Sequence, residues 1–125
     1  MTYGIHSAAA PKADGSYSQG AAAARYVFVS GQIGENPETG ELAAEDMANQ
    51  TRQAILNMRA ILAEIKLDLD DVVKVTAYVT DLDQVPQMDE ACHELFSSPR
   101  PARTCVQVSG IRKGALIELE CIACR

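Results

Sequence analysis

Arg103 stands in Pro101-Ala102-Arg103-Thr104-Cys105-Val106, a segment that reads as a strand after a proline, and its side chain is suited to hold a small carboxylate. A guanidinium is a planar fork that grips a carboxylate through two parallel hydrogen bonds, and a strand fixes that fork in space. Farther along, Glu118 and Glu120 alternate with Leu116 and Ile122, so one strand face mixes acids with large aliphatic groups. Such a face is neither core nor free surface, and it suits a subunit interface with polar sites built into it. The same pattern also fits an ordinary cross-strand ion pair between Arg103 and a strand glutamate, worth at most about 1 kcal/mol at a surface. The residues alone leave both readings open.

The cysteines offer less. Cys105 lies beside Arg103 in sequence, yet neither histidine, His6 or His93, falls where it would act as a base for a thiol nucleophile. Cys121 and Cys124 form a C-x-x-C, but in a strand residues three apart point to opposite faces. No second C-x-x-C or suitably spaced histidine completes a zinc site, so free thiols and no metal are expected.

These groups need strands and helices to place them. Tyr26 to Ser30 reads as a short strand after an Ala-rich stretch, with Gly31 to Gly34 as its exit and Asn36-Pro37-Glu38-Thr39-Gly40 as turns. Between Glu45 and Ile65, Met47, Ala54, Ile55, Met58, Leu62 and Ile65 recur at helical spacing, the clearest periodicity in the chain. From Val72 to Thr80, Val73, Val75, Ala77 and Val79 alternate with Lys74, Thr76 and Tyr78, which predicts a strand with one apolar face. A second helix fits Gln84 to Phe96, with Asp83 as N-cap, Pro86 in the first turn and Val85, Met88, Cys92, Leu95 and Phe96 as its stripe. Pro99 and Pro101 break it, and strands follow over Ala102 to Val108 and Ala115 to Ala123, joined by a Gly110 to Gly114 turn.

This order predicts an α+β architecture in one domain over residues 1–125: a single mixed sheet with both helices on one face. Period-2 alternation groups Arg103, Cys105 and Gln107 against Thr104, Val106 and Val108, and Glu118 and Glu120 against Ile117, Leu119, Cys121 and Ala123. If the more apolar sets take the helices, the open face carries Arg103, Cys105, Glu118, Glu120, Lys74 and Tyr78 together.

The chain has 125 residues, 47% of them apolar, and a formal net charge of −6 with only four Tyr and two Phe. That balance disfavours a surface made to neutralise phosphates or stack bases, so nucleic acid is not an expected partner. No apolar run approaches the roughly 20 residues that cross a bilayer, and Met1 to His6 lacks an export signal, so no membrane partner and a cytoplasmic location are expected.

Several strings in order along the chain carry a resemblance: Ala10-Pro11, Tyr17-Ser18-Gln19, Val29-Ser30-Gly31-Gln32-Ile33, Pro37-Glu38-Thr39-Gly40-Glu41, Gln50-Thr51-Arg52-Gln53-Ala54 with Asn57, Val72 to Thr76, Pro101 to Val106 and Ile117-Glu118-Leu119-Glu120. Together they closely resemble the RidA/YjgF family of imine deaminases over almost the whole length. The resemblance implies a chorismate-mutase-like fold and a homotrimer whose sheets pack around a central barrel, with clefts between neighbouring subunits. It implies hydrolysis of reactive enamines and imines (2-aminoacrylate, its tautomer 2-iminopropanoate, and 2-iminobutanoate) to 2-oxo acids and ammonia, with no metal or organic cofactor. Arg103 matches the family's carboxylate-binding arginine and Glu118 the acid that positions or activates water. Tyr17 and Ser30 match the cleft's tyrosine and serine, and the main chain of Gly31 and Cys105 lies where the family contacts substrate.

The sequence also departs from the family. Ser16 stands where proline usually precedes the tyrosine, Asp89 where many members have asparagine, and Gly110-Ile111-Arg112-Lys113 where a Leu-Pro-Lys turn is usual. The connection from Phe96 to Arg103 is shorter and brings in Arg100. Two other functions remain in play: a non-enzymatic trimer that senses 2-oxo acids through Arg103, and an endoribonuclease or translation inhibitor.

Overall fold

In the computed structural model, which describes all residues 1–125, six strands form one mixed sheet. They are β1 (Thr2–Ile5), β2 (Gly20–Ala23), β3 (Tyr26–Ile33), β4 (Val72–Val79), β5 (Ala102–Gln107) and β6 (Ile117–Cys124), in the order β1-β2-β3-β6-β4-β5. Only the β4–β5 pair is parallel, and its crossover is the second helix. The helices are α1 (Met47–Ala63) and α2 (Val85–Leu95).

Helix α1 starts at Asp46, whose carboxylate accepts a hydrogen bond from Asn49 N at 3.0 Å and so satisfies one of the orphan donors of the first turn. Its stripe of Ala54, Ile55, Met58, Ile61 and Leu62 is fully buried against one sheet face. That face carries Val27, Val29, Val75, Ala77, Val79, Ile117, Leu119, Cys121 and Ala123, all buried, and α2 adds Met88 to the same cluster. Both helices therefore cover one face, as the alternation in β4 and β6 predicts. Helix α2 begins one residue later than predicted, and Asp81 rather than Asp83 does the capping: it accepts from Asp83 N at 2.9 Å and starts a 3₁₀ turn that runs into the helix.

Three expectations need correction. Strand β3 continues through Gly31 and Gln32 to Ile33 instead of ending at Ser30, and β1 and β2 extend the sheet where only an Ala-rich stretch was visible. Val73 is not part of the apolar face: the β4–β6 register slips between Val72 and Lys74, which buries Val72 and exposes Val73. Most consequentially, Arg103 and Cys105 do not share a face with Glu118. Parallel pairing sets Arg103 opposite Val75 and Cys105 opposite Ala77, on the helix side, whereas Glu118 and Glu120 pair with Tyr78 and Thr76 on the open side. β5 is an edge strand exposed along most of its length, so burial does not choose a face for it and apolar content was a poor guide.

Candidate functional site

On the open side, β3 carries one extra residue relative to β6 between Val29 and Gln32, and this bulge holds Ser30 and Gly31. Bulges re-aim side chains and interrupt pairing. The carboxylate of Glu118 lies directly over Gly31: a Cβ there would stand 2.8 Å from the Glu118 carboxyl carbon, so only glycine leaves it room. The Ser30 hydroxyl donates to Ser18 O at 2.6 Å and its amide to Gln19 O at 2.9 Å. These bonds tie the loop bearing Tyr17 to the bulge.

Gln19 holds that loop from beneath. It is buried, accepts from Ser7 N at 2.6 Å and donates to Ser7 O and Pro11 O at 3.1 and 2.7 Å. Tyr17 is exposed, and its hydroxyl donates to Asp14 at 3.3 Å. Asp14, Tyr17, Ser30, Gly31, Arg112 and Glu118 line one cleft of about 420 Å³.

The neighbouring acid is engaged. Tyr78 donates its hydroxyl to Glu120, and that bond raises the Tyr78 pKa above its ordinary value. Glu118 belongs to none of the four ion pairs of the chain, which join Arg52 to Glu94, Arg59 to Asp68, Arg103 to Asp89 and Lys113 to Glu35. Of two carboxylates on one face, Glu118 is the one free to act.

Arg103 lies on the other side of the sheet. Its guanidinium donates to the Asp89 carboxylate of α2, which raises the Arg103 pKa further, and it lines a cavity of about 320 Å³ with Val75, Cys92, Phe96, Arg100 and Pro101. Burial pushes the Cys92 thiol up to about 11, against an opposing pull from Arg103, and burial likewise raises Cys105. Both are poor nucleophiles at neutral pH. All four cysteines are free, and no cluster of His, Cys, Asp and Glu is arranged to hold a metal.

Residues 7–125 match the family model described as Endoribonuclease L-PSP. The chain belongs to this family, which is the RidA/YjgF family. Among RidA/YjgF relatives, a RutC family protein of Pyrococcus abyssi is 46% identical over 91% of this chain and 90% of its own length. A human 2-iminobutanoate/2-iminopropanoate deaminase is 38% identical over 95% of this chain and 87% of its own. The crystal structure of Escherichia coli TdcF with bound serine superposes with a TM-score of 0.90 at 36% identity, covering 98% of both chains.

Within this RidA/YjgF fold, the structure brings Tyr17, Ser30, Gly31 and Glu118 into one cleft and puts Arg103 and Cys105 elsewhere. The cross-strand Arg103–glutamate pair entertained from sequence is absent; the partner is Asp89, from a helix. Sequence reading noted Asp89, Arg100 and Arg112 only as departures from the family and did not single out Asp14. The signal for Asp89 was its helical phase: it follows Met88, a buried member of the α2 stripe, and so sits at the stripe's edge.

Proposed function

We propose that this protein hydrolyses small 2-imino acids and their enamine tautomers to 2-oxo acids and ammonia, in clefts completed between copies of a homotrimer. The observation that carries this reading is the placement of Glu118: an unpaired carboxylate laid over Gly31, in a cleft with Tyr17 and Ser30. Relatives named as deaminases support the reaction type. Arg103 reaches the substrate carboxylate from a neighbouring copy, which accounts for its lying on the opposite side of the sheet in its own chain.

The chemistry asks for little else. An iminium carbon is already electrophilic, so orientation, a water and a proton acceptor suffice. Water adds to that carbon while Glu118 takes its proton; Glu118 returns that proton to the carbinolamine nitrogen, the C–N bond breaks as the hydroxyl proton passes to solvent, and ammonia and the 2-oxo acid leave with Glu118 again ionised. A general base of this kind contributes about 10²–10⁴-fold.

The test is semicarbazide trapping of 2-iminopropanoate and 2-iminobutanoate generated by an amino-acid oxidase. Wild type should accelerate loss of the imine, and Glu118→Gln and Arg103→Ala should each reduce that acceleration about 100-fold or more. A wild-type protein that leaves the semicarbazone yield unchanged would sink the proposal; if it nonetheless bound 2-oxobutanoate, the sensing trimer would replace the enzyme.

A further inference from the structure

The cavity beside Arg103 holds a second guanidinium. We propose that Arg100 is a carboxylate-binding residue that shares a single substrate carboxylate with Arg103, supplying the net positive charge that Asp89 withdraws. This deepens the deaminase reading and rests on it, since it takes the Arg103 cavity as the place where the carboxylate is held.

Charge is the first argument. Arg103 donates to Asp89, so the pair is formally neutral and part of the fork is already occupied. An arginine in that condition is a weak anchor for an incoming anion, which must compete with a carboxylate already in place. Arg100 lines the same cavity of about 320 Å³ and belongs to no ion pair of the chain. Its guanidinium makes one bond, to His93 O at 3.4 Å, beyond the usual range for a firm N–H···O contact, so its remaining donors are available. Arg100, Arg103 and Asp89 together carry a formal charge of +1, which one carboxylate neutralises.

Placement is the second. Phe96 is buried at the end of α2 and fixes where the connecting segment leaves the helix, and Pro101 restricts the backbone immediately after Arg100. The remaining walls are the apolar Val75, Phe96 and Pro101 and the Cys92 thiol. The apolar ones offer a small aliphatic side chain a surface to lie on beside the two guanidiniums. The ligand class that fits is a monocarboxylic 2-oxo or 2-imino acid with a short apolar side chain.

Isothermal titration of the intact assembly with 2-oxobutanoate and with 2-oxoglutarate tests this, because both are stable 2-oxo acids and need no turnover. The variants are Arg100→Ala, Arg103→Ala and Asp89→Asn, each checked by sedimentation and thermal midpoint for an unchanged assembly. Arg100→Ala should weaken both ligands equally, on the order of ten-fold, the loss expected of one hydrogen-bonded charge. Asp89→Asn should tighten both, and in deaminase assays Arg100→Ala should raise KM with little change in kcat. Unchanged affinity in Arg100→Ala overturns the proposal, as does weakening confined to 2-oxoglutarate, which would make Arg100 a reader of a second acid group. Asp89→Asn binding no tighter than wild type overturns the compensation. Arg100→Ala can fail alone while Arg103→Ala abolishes binding, which leaves the deaminase reading standing; if wild type binds neither ligand, the Arg100 proposal falls and the deaminase reading is decided by imine trapping alone.

Discussion

Glu118 owes its availability to two neighbours. Tyr78 occupies Glu120, the other acid on the face, and Gly31 leaves the Glu118 carboxylate the space that any Cβ would take. Gly31→Ala therefore acts as a substitution of Glu118 by displacement: the carboxylate must swing out of the cleft, while the bulge backbone stays. For the proposed deaminase reaction, kcat should fall about 100-fold, on the scale of a lost general base, with an unchanged circular dichroism spectrum. Activity near wild type in Gly31→Ala would mean that the carboxylate position is irrelevant to turnover. The thiols give a second residue-scale prediction. Burial pushes Cys121 up to about 12 and Cys92 up to about 11, so both stay protonated as pH rises from 7 to 9, and the thiolate is the reactive form. Native protein treated with iodoacetamide at pH 8 should leave both unmodified by mass spectrometry, and denatured protein should be modified at both.

At the scale of elements, the contact that positions the bulge is the docking of α1 on the end of β3. A Cβ on Gly34 would stand 2.6 Å from the carbonyl oxygen of Gln50 in α1, a backbone atom that cannot turn aside. Two helix amides fasten the same corner: Asn57 donates to Ile33 O and Glu35 O at 3.2 and 2.9 Å, and Gln50 accepts from Leu116 N at 2.8 Å. Gly34→Ala should lower stability by about 1–3 kcal/mol, the usual range for overpacking, read as a lower urea midpoint at unchanged m-value. Helix α1 was legible in the sequence because its buried positions repeat at helical spacing over many residues. Strand β2 was not, because Gly20-Ala21-Ala22-Ala23 has almost no β propensity and is held in place by pairing with β1 and β3 and by the burial of Ala22. The family strings grouped Tyr17, Ser30, Gly31 and Glu118 with Arg103 and Cys105; the first four line one cleft and the last two face the other side of the sheet, because period-2 alternation says which residues share a face and not which face it is. For β5 the parallel crossover decides that, and no residue within β5 records it.

At the scale of the whole molecule, one face of the sheet is covered by helices and the other is open, with Tyr26 53%, Phe28 47% and Val106 41% exposed. Phe28 pairs across the sheet with Ile122, next to the strand positions that carry Glu118 and Glu120. Large apolar side chains alternating with acids on an uncovered sheet are poorly served by water, and burying a Phe contributes roughly 1.5–3 kcal/mol over leaving it exposed. The trimer proposed above would bury three such faces at once, so one substitution would be felt three times in each assembly. On that proposal wild type should sediment as a trimer and Phe28→Asp as a monomer at micromolar concentration. Because the face it alters is opposite the helix-packed core, the monomer should keep the wild-type far-ultraviolet spectrum. The proposed deaminase activity should fall with assembly, since Arg103 and Glu118 of a single chain lie on opposite sides of its sheet. Diluting wild type through the same dissociation should lower specific activity in parallel with trimer content. A monomeric Phe28→Asp with full specific activity would show that one chain holds a complete site, and the division of Arg103 and Glu118 between copies would then be wrong.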